Sequence, residues 1–227
     1  MRVELRLTLL PAPLLKAARD NDQQLVYAVC DVTEEQSVTK AFARAESTSR
    51  FPIRGLVACA GISGRAKAAE YPIASFRKII DVNVIGTFLC AQAAARIMQR
   101  QQVAGSMVLL ASMSGTNVNR GVDTAAYNAS KSAVLQLARS LAAEWGNDGG
   151  HPPIRVNTLS PGYIMTPITM PTFQSVPGLK EMWTEGNMLG RLSKVEEHQS
   201  SVVYLLSDGS SYMTGSDLRV DGGHCAW

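Results

Sequence analysis

The sequence predicts a single α/β domain built as a doubly wound parallel sheet, on three observations. Short β-like runs alternate with helical patterns along the chain, the signature of βαβ units with right-handed crossovers. At 227 residues, 46% hydrophobic and 18% charged, the chain has material for one full core. No internal repeat, low-complexity tract or interdomain linker divides it.

Residues 3–10, Val-Glu-Leu-Arg-Leu-Thr-Leu-Leu, alternate as a strand; Pro11 and Pro13 then break the run, and a short helical piece reaches about Arg19. Gln24 to Cys30 is a second strand-like run. Thr33-Glu34-Glu35-Gln36 has the S/T-x-x-E/Q form of a capping box and predicts a helix to about Ser47. Leu56 to Ala60 reads as a strand closed by Gly61, and the pattern from about Ala74 to Gln101 as a long helix with Ile80, Val84, Phe88, Leu89 and Met98 on its apolar positions. Met107 to Ala111 is a buried-type strand. The next helix carries Val134, Leu137, Ala138, Leu141 and Trp145 and stops at Gly146. Ile154 to Leu159 is a strand, and the residues after Pro161-Gly162, to about 192, hold four methionines, Phe173 and Trp183 without a regular period. Ser193-Lys194-Val195-Glu196 has the form of a second capping box, opening a helix that ends near Ser207, and Leu218-Arg219-Val220 is the final strand.

A net charge of +3 with no Lys/Arg block does not suggest a nucleic-acid surface, and nucleic acid is not an expected partner. No run reaches the roughly 18 apolar residues of a membrane span, so no membrane partner is expected. Leu5 to Leu15 is apolar, with arginines at 2 and 6, and faintly resembles a secretory signal, but Glu4 and the two prolines favour a strand and turn. The four cysteines, at 30, 59, 90 and 225, show neither CxxC spacing nor histidine companions. They read as reduced thiols in a cytosolic setting, and no metal site is expected.

In a doubly wound sheet ligands bind beyond the carboxyl ends of the strands. That selects Asp31-Val32, Ala60-Gly61, Ser112 and Pro161-Gly162, with Asn83 inside the long helix. Tyr127 and Lys131, four apart, share a helix face. A phenol with an ordinary pKa of about 10 becomes a general acid/base near neutral pH when a neighbouring ammonium stabilises the phenolate. Each residue also has a purely structural explanation: Asp31 as a helix cap, Gly61 as a turn, Asn83 bonded to nearby backbone, Lys131 exposed. Their order and common location favour one cleft.

The set Cys30-Asp31-Val32, Ala58-Cys59-Ala60-Gly61, Asn83, Ser112, Tyr127-x-x-x-Lys131, Pro161-Gly162 with Thr166, and Asp221-Gly222-Gly223 resembles the short-chain dehydrogenases/reductases, from about residue 24 to the C-terminus. The runs from Ala111 to Gly115, from Tyr127 to Lys131 and from Val220 to Trp227 look most like the fungal carbonyl and polyol reductases of the mannitol, arabinitol and sorbose group. The resemblance implies a Rossmann-like fold, hydride transfer between a secondary alcohol or ketone and NADP or NAD, with NADP slightly favoured, and a homodimer or homotetramer. It makes Tyr127 the acid/base and Lys131 the group that lowers its pKa and holds the nicotinamide ribose. It gives Ser112, with Ser114 as competitor, a hydrogen bond to the reacting oxygen. Asn83 would hold a water in a relay to Lys131. Asp31 and Val32 would flank the adenine, Ala60 and Gly61 would pass the ribose, and the loop containing Pro161, Gly162, Ile164 and Thr166 would grip carboxamide and phosphates.

Two departures qualify the resemblance. The family usually has Asn-Ala-Gly where this chain has Cys59-Ala60-Gly61, and loss of that amide is expected to loosen neighbouring strand ends. No glycine occurs before Gly55, whereas such folds open with a strand, a glycine-rich turn and a helix N-terminus that receives the pyrophosphate. Residues 3–10 would then stand in place of a second strand, with Pro11-Ala12-Pro13 in the turn that selects NAD or NADP. Weak dinucleotide binding by an N-terminally shortened domain is the expectation. The alternative is a cofactor-free chain that keeps the cleft for proton transfer or binding, or a part of an ordinary reductase. The small residues Ala91, Ala93, Ala94 and Ala95 exceed what a one-sided helix needs and suggest assembly through the helices at 74–101 and 127–145. The Met, Phe and Trp content of residues 165–183 suits an apolar lid or, equally, core packing.

Overall fold

Four parallel strands, β1 (Gly55–Ala58), β2 (Gly105–Leu110), β3 (Ile154–Pro161) and β4 (Asp217–Val220), form a sheet in that spatial order in the computed structural model, which describes residues 12–167 and 169–227. The strand expected at residues 3–10 lies outside the described residues. β2 shows why its sequence reads as a continuous apolar run: both faces are covered, as parallel sheets require. Met107 and Leu109 pack with α4 (Gly86–Arg100) and α5 (Ala125–Trp145), while Val108 packs on the other side with Leu205 of α8 (Gln199–Leu206). Among the described helices none is long and apolar enough to cross a membrane.

Gln24 to Cys30 joins no ladder, and Val29 is 80% exposed. A strand is stable only where its backbone groups find a partner, and among the described residues β1 pairs only with β2. The Gln24 side chain instead ties this run to the next segment, donating to Thr48 O at 2.7 Å and accepting from the Arg50 N–H at 3.2 Å. The reversal of strand order that defines a doubly wound sheet is therefore not present in the described residues, where the order runs one way from β1 to β4.

The helices begin differently from their motifs. Helix α1 spans Ala12–Asp20, and α2 spans Glu35–Thr48 without the expected capping box. Both donors of Thr33 go to Asp31 Oδ1, the N–H at 3.0 Å and the hydroxyl at 2.7 Å, because a carboxylate two residues upstream is the stronger acceptor. The second capping motif is displaced by one residue. Glu197 accepts the Lys194 N–H at 2.8 Å, a short 3₁₀ turn covers Val195–His198 before α8, and the Ser193 hydroxyl faces His198 Nε2 at 3.0 Å. The long helical pattern is α3 (Ile73–Ile80) joined to α4 through a π turn at Asp81–Ile85.

The aperiodic stretch folds into α6 (Met170–Ser175) and α7 (Leu179–Glu185), whose Leu179 and Trp183 build a small second core with Tyr163 and Met113. Ala91, Ala94 and Ala95 are at most 2% exposed and belong to the main core. These three alanines let α4 approach the sheet closely, while Ala93 is half-buried outside that core.

Candidate active site

The expected residues converge at the carboxyl ends of the strands. Just beyond β2, Ser112 adopts an extended backbone and its hydroxyl accepts the Ser114 N–H at 3.1 Å, which fixes the side chain and leaves its O–H free to donate. Helix α5 presents Tyr127 and Lys131 one turn apart. The end of β3 continues into Gly162, where an added Cβ would meet Asp221 Cα at 2.7 Å, so only glycine lets this strand end pass β4. Together with Gly61, Ile164 and Thr166 these residues line one cleft of about 230 Å³.

Lys131 is only 4% exposed, and its Nζ donates to Leu110 O at 2.6 Å. Burial drives its pKa down to about 8, opposed by the Cys59 thiol. The ammonium lies 5.7 Å from the centre of the Tyr127 ring. Burial raises the Tyr127 phenol above its ordinary value, and the Ser112 hydroxyl beside it pulls it partway back. The sequence expectation was a phenol lowered by its lysine. Here Lys131 turns to the Leu110 carbonyl, and desolvation of the phenol dominates.

Asn83 is 1% exposed and its amide makes three hydrogen bonds: Nδ2 donates to Ile62 O and to Ser130 Oγ, both at 2.9 Å, and Oδ1 accepts the Ile62 N–H at 2.9 Å. Ser130 Oγ in turn donates to Tyr127 O at 2.7 Å. The π turn aims this amide across the gap between the loop after β1 and α5, and so it ties the strand-end loop to the helix carrying Tyr127. Both side-chain N–H groups of Asn83 are thereby engaged within the chain. Cys59, at which a loosening is expected, has its own side chain exposed in the cleft.

At the opposite end the expected residues do not gather. Asp31 is exposed with its carboxylate held by Thr33, Val32 packs against Gly86, and Ala60 is exposed; none of the three lines the cleft. Residues absent from the sequence reading do line it, namely Asn119, Thr124 and Tyr163, and Trp183 of the stretch read as an apolar lid or core joins them. Tyr163 directly follows the Pro161-Gly162 pair, the one signal that would have pointed to it. Asn119 carries none.

A family model described as enoyl-(acyl carrier protein) reductase matches residues 10–224. The short chain dehydrogenases/reductase notP' of Aspergillus versicolor is 56% identical over 210 residues, covering 92% of this chain and 72% of that protein. The chain belongs to the short-chain dehydrogenase/reductase family. Within it, the chain is 38% identical over 199 residues to a D-arabinitol 2-dehydrogenase (ribulose-forming) of Candida tropicalis, covering 87% and 69% of the two proteins. The crystal structure of a gluconate 5-dehydrogenase from Burkholderia cenocepacia in complex with NADP and tartrate superimposes with a TM-score of 0.84 at 28% identity, covering 95% and 81%. As a short-chain dehydrogenase/reductase of the fungal polyol reductase type, the chain is a nicotinamide-dependent oxidoreductase acting on a small alcohol or ketone.

The described residues fit the reactive end of that cofactor. The buried Lys131 ammonium, the Tyr127 phenol and the Gly162 strand end line the same cleft as Gly61 and Thr166. For the pyrophosphate, the residues described before β1 contain no glycine.

Proposed function

We propose that this chain transfers hydride between NADP or NAD and a secondary alcohol or ketone, with Tyr127 as the acid/base, Ser112 and Lys131 as its partners, and Asn83 as a positioning residue. The observation that carries the reading is the meeting of Tyr127, Lys131 and Ser112 in one cleft at the carboxyl ends of the strands. When bound, the nicotinamide gives hydride to a carbonyl carbon or takes it from a carbinol carbon. In reduction the Tyr127 O–H donates its proton to the developing alkoxide, and in oxidation the phenolate takes it back. Ser112, its hydroxyl fixed through Ser114, donates to the same oxygen where charge develops. Lys131 holds positive charge under the phenol, and its pKa of about 8 makes that charge sensitive to pH near neutrality.

NADP is supported by the NADP complex of the gluconate 5-dehydrogenase, and a pentitol or ketose substrate by the name of the Candida tropicalis relative. Asp31 and Val32 are proposed for the adenine side, supported by the family motif alone. The test is NADPH and NADH oxidation with D-ribulose and related ketoses by the 227-residue chain and its Tyr127→Phe variant. Turnover that falls at least about 100-fold in the variant supports the mechanism. Absence of turnover by the unaltered chain with either cofactor, or an active variant, overturns it.

A further inference from the structure

Among the described residues, the cleft is lined by two basic side chains, Lys131 and Arg65, and by no aspartate or glutamate. Lys131 serves the chemistry above. Arg65, in the loop that follows β1, takes no part in it and is exposed. It forms no ion pair among the described residues.

The chain holds this arginine from both sides. Before it, Gly64 packs so closely that an added Cβ would meet Tyr71 Oη at 2.9 Å and Ile79 Cδ1 at 3.1 Å. After it, the Ala66 N–H donates to Asp123 O at 3.2 Å, just ahead of α5. The side chain reaches α6, where Nη2 donates to Ser175 Oγ at 2.8 Å. Ser175 donates its own proton to Pro171 O, also at 2.8 Å, so its oxygen is free to accept from Arg65. Ser175 stands three residues after Thr172 on α6, on one helix face, and Thr172 lines the cleft. Arg65 therefore joins the loop after β1 to α6 at the rim. A guanidinium carries five N–H donors in one plane, and this bond uses one of them. No carboxylate of the cleft lining is there to take the others.

We propose that Arg65 is the specificity-determining contact for a negatively charged group on the substrate, so that the cleft takes small ketones or secondary alcohols carrying a carboxylate or a phosphate. The inference rests on the hydride-transfer reading and adds a charge to its substrate. An arginine fork matches two oxygens of either anion, with parallel N–H donors that a neutral group cannot use as well. Lys131 is buried and held by Leu110 O, so the contact at the rim falls to Arg65. A lining with positive charge and no carboxylate also draws an anion in from solvent.

The experiment compares 4-oxopentanoate with 4-oxopentanamide, which match in shape and differ in charge, and dihydroxyacetone phosphate with dihydroxyacetone. Each is reduced with NADPH by the 227-residue chain and by its Arg65→Met variant. In the unaltered chain an anion should exceed its neutral partner by about tenfold or more in kcat/KM, and the pair that shows this tells carboxylate from phosphate. Arg65→Met should cut that preference about tenfold, mainly through the KM of the ketone. Absence of a preference for either anion, or a preference that survives in Arg65→Met, overturns the inference. So does a variant effect confined to the KM of NADPH, which would place the arginine on the cofactor. If the unaltered chain reduces none of these ketones, the hydride-transfer reading fails and binding alone decides. At matched ionic strength an anion should then slow iodoacetamide labelling of Cys59, exposed in the cleft, more than its neutral partner does, and Arg65→Met should abolish the difference. Equal labelling rates with anion and neutral partner overturn the inference.

Discussion

Replacing Asn83 by alanine tests whether its amide is a clamp or a relay. The substitution removes two bonds to Ile62 and one to Ser130, all at 2.9 Å and all at a site 1% exposed. At about 1 kcal/mol net for each hydrogen bond, the loss is about 3 kcal/mol. A chain of 227 residues shifts its midpoint by roughly 2–4 °C per kcal/mol, so a fall of roughly 6–12 °C is expected in thermal unfolding followed by far-UV circular dichroism. Ser130→Ala removes the single bond from Asn83 and the one to Tyr127 O, and should cost about 2 kcal/mol by the same reckoning. In the double variant the shared bond is counted once, so the losses sum to less than additive. A side-chain relay predicts the opposite pattern, an unchanged midpoint with a much reduced kcat. A midpoint within about 2 °C of the unaltered protein would refute the clamp, since three lost hydrogen bonds predict a fall of at least about 6 °C.

Tyr127→Phe should lower kcat by about 100-fold or more while leaving the midpoint nearly unchanged, read from steady-state kinetics beside calorimetry. Lys131 titrates near about 8 in the fold and near about 10.4 in the unfolded chain, which therefore holds more protons across that window. Stability accordingly rises with pH between the two values, and this contribution is lost as pH falls through about 8. Lys131→Met should flatten the difference in urea midpoints over the same range. Iodoacetamide at pH 8 should label exposed Cys59 first and leave Cys90, whose thiol burial pushes to about 11, unmodified in peptide maps. Activity should fall with Cys59 labelling, because its side chain faces the cleft; prior labelling of Cys90 would contradict the packing of α4.

What the sequence made legible follows from the range of the interactions involved. Met107, Val108 and Leu109 announce a strand covered on both faces because each is fully buried, and Tyr127 and Lys131 share a face by helical spacing alone. Local motifs failed where a competitor lay just outside them. The capping box at Thr33 ignores the Asp31 carboxylate, and the one at Ser193 ignores His198. Gln24 to Cys30 has the composition of a strand but no ladder partner among the described residues, and composition does not supply one. Asn119 and Tyr163 both line the cleft although they stand 44 positions apart, a proximity that no local pattern announces.

The acid/base pair poses an energetic question that its spacing alone does not answer. Burial raises the Tyr127 phenol and lowers the Lys131 ammonium, so the fold by itself drives both groups toward neutrality. That is the reverse of what a proton donor with a stabilised phenolate requires. The opposition is resolved at Lys131. An ammonium has three donors, and the Leu110 carbonyl takes one at 2.6 Å. Each further acceptor that a ligand presents to Lys131 holds its proton more tightly, keeps positive charge beside the phenol, and thereby lowers Tyr127. The strength of the acid is then set by ligand binding rather than by the two residues alone. On the proposed roles, Lys131 would be the coupling between them, and the chemistry of Tyr127 would depend on the contacts its neighbour makes.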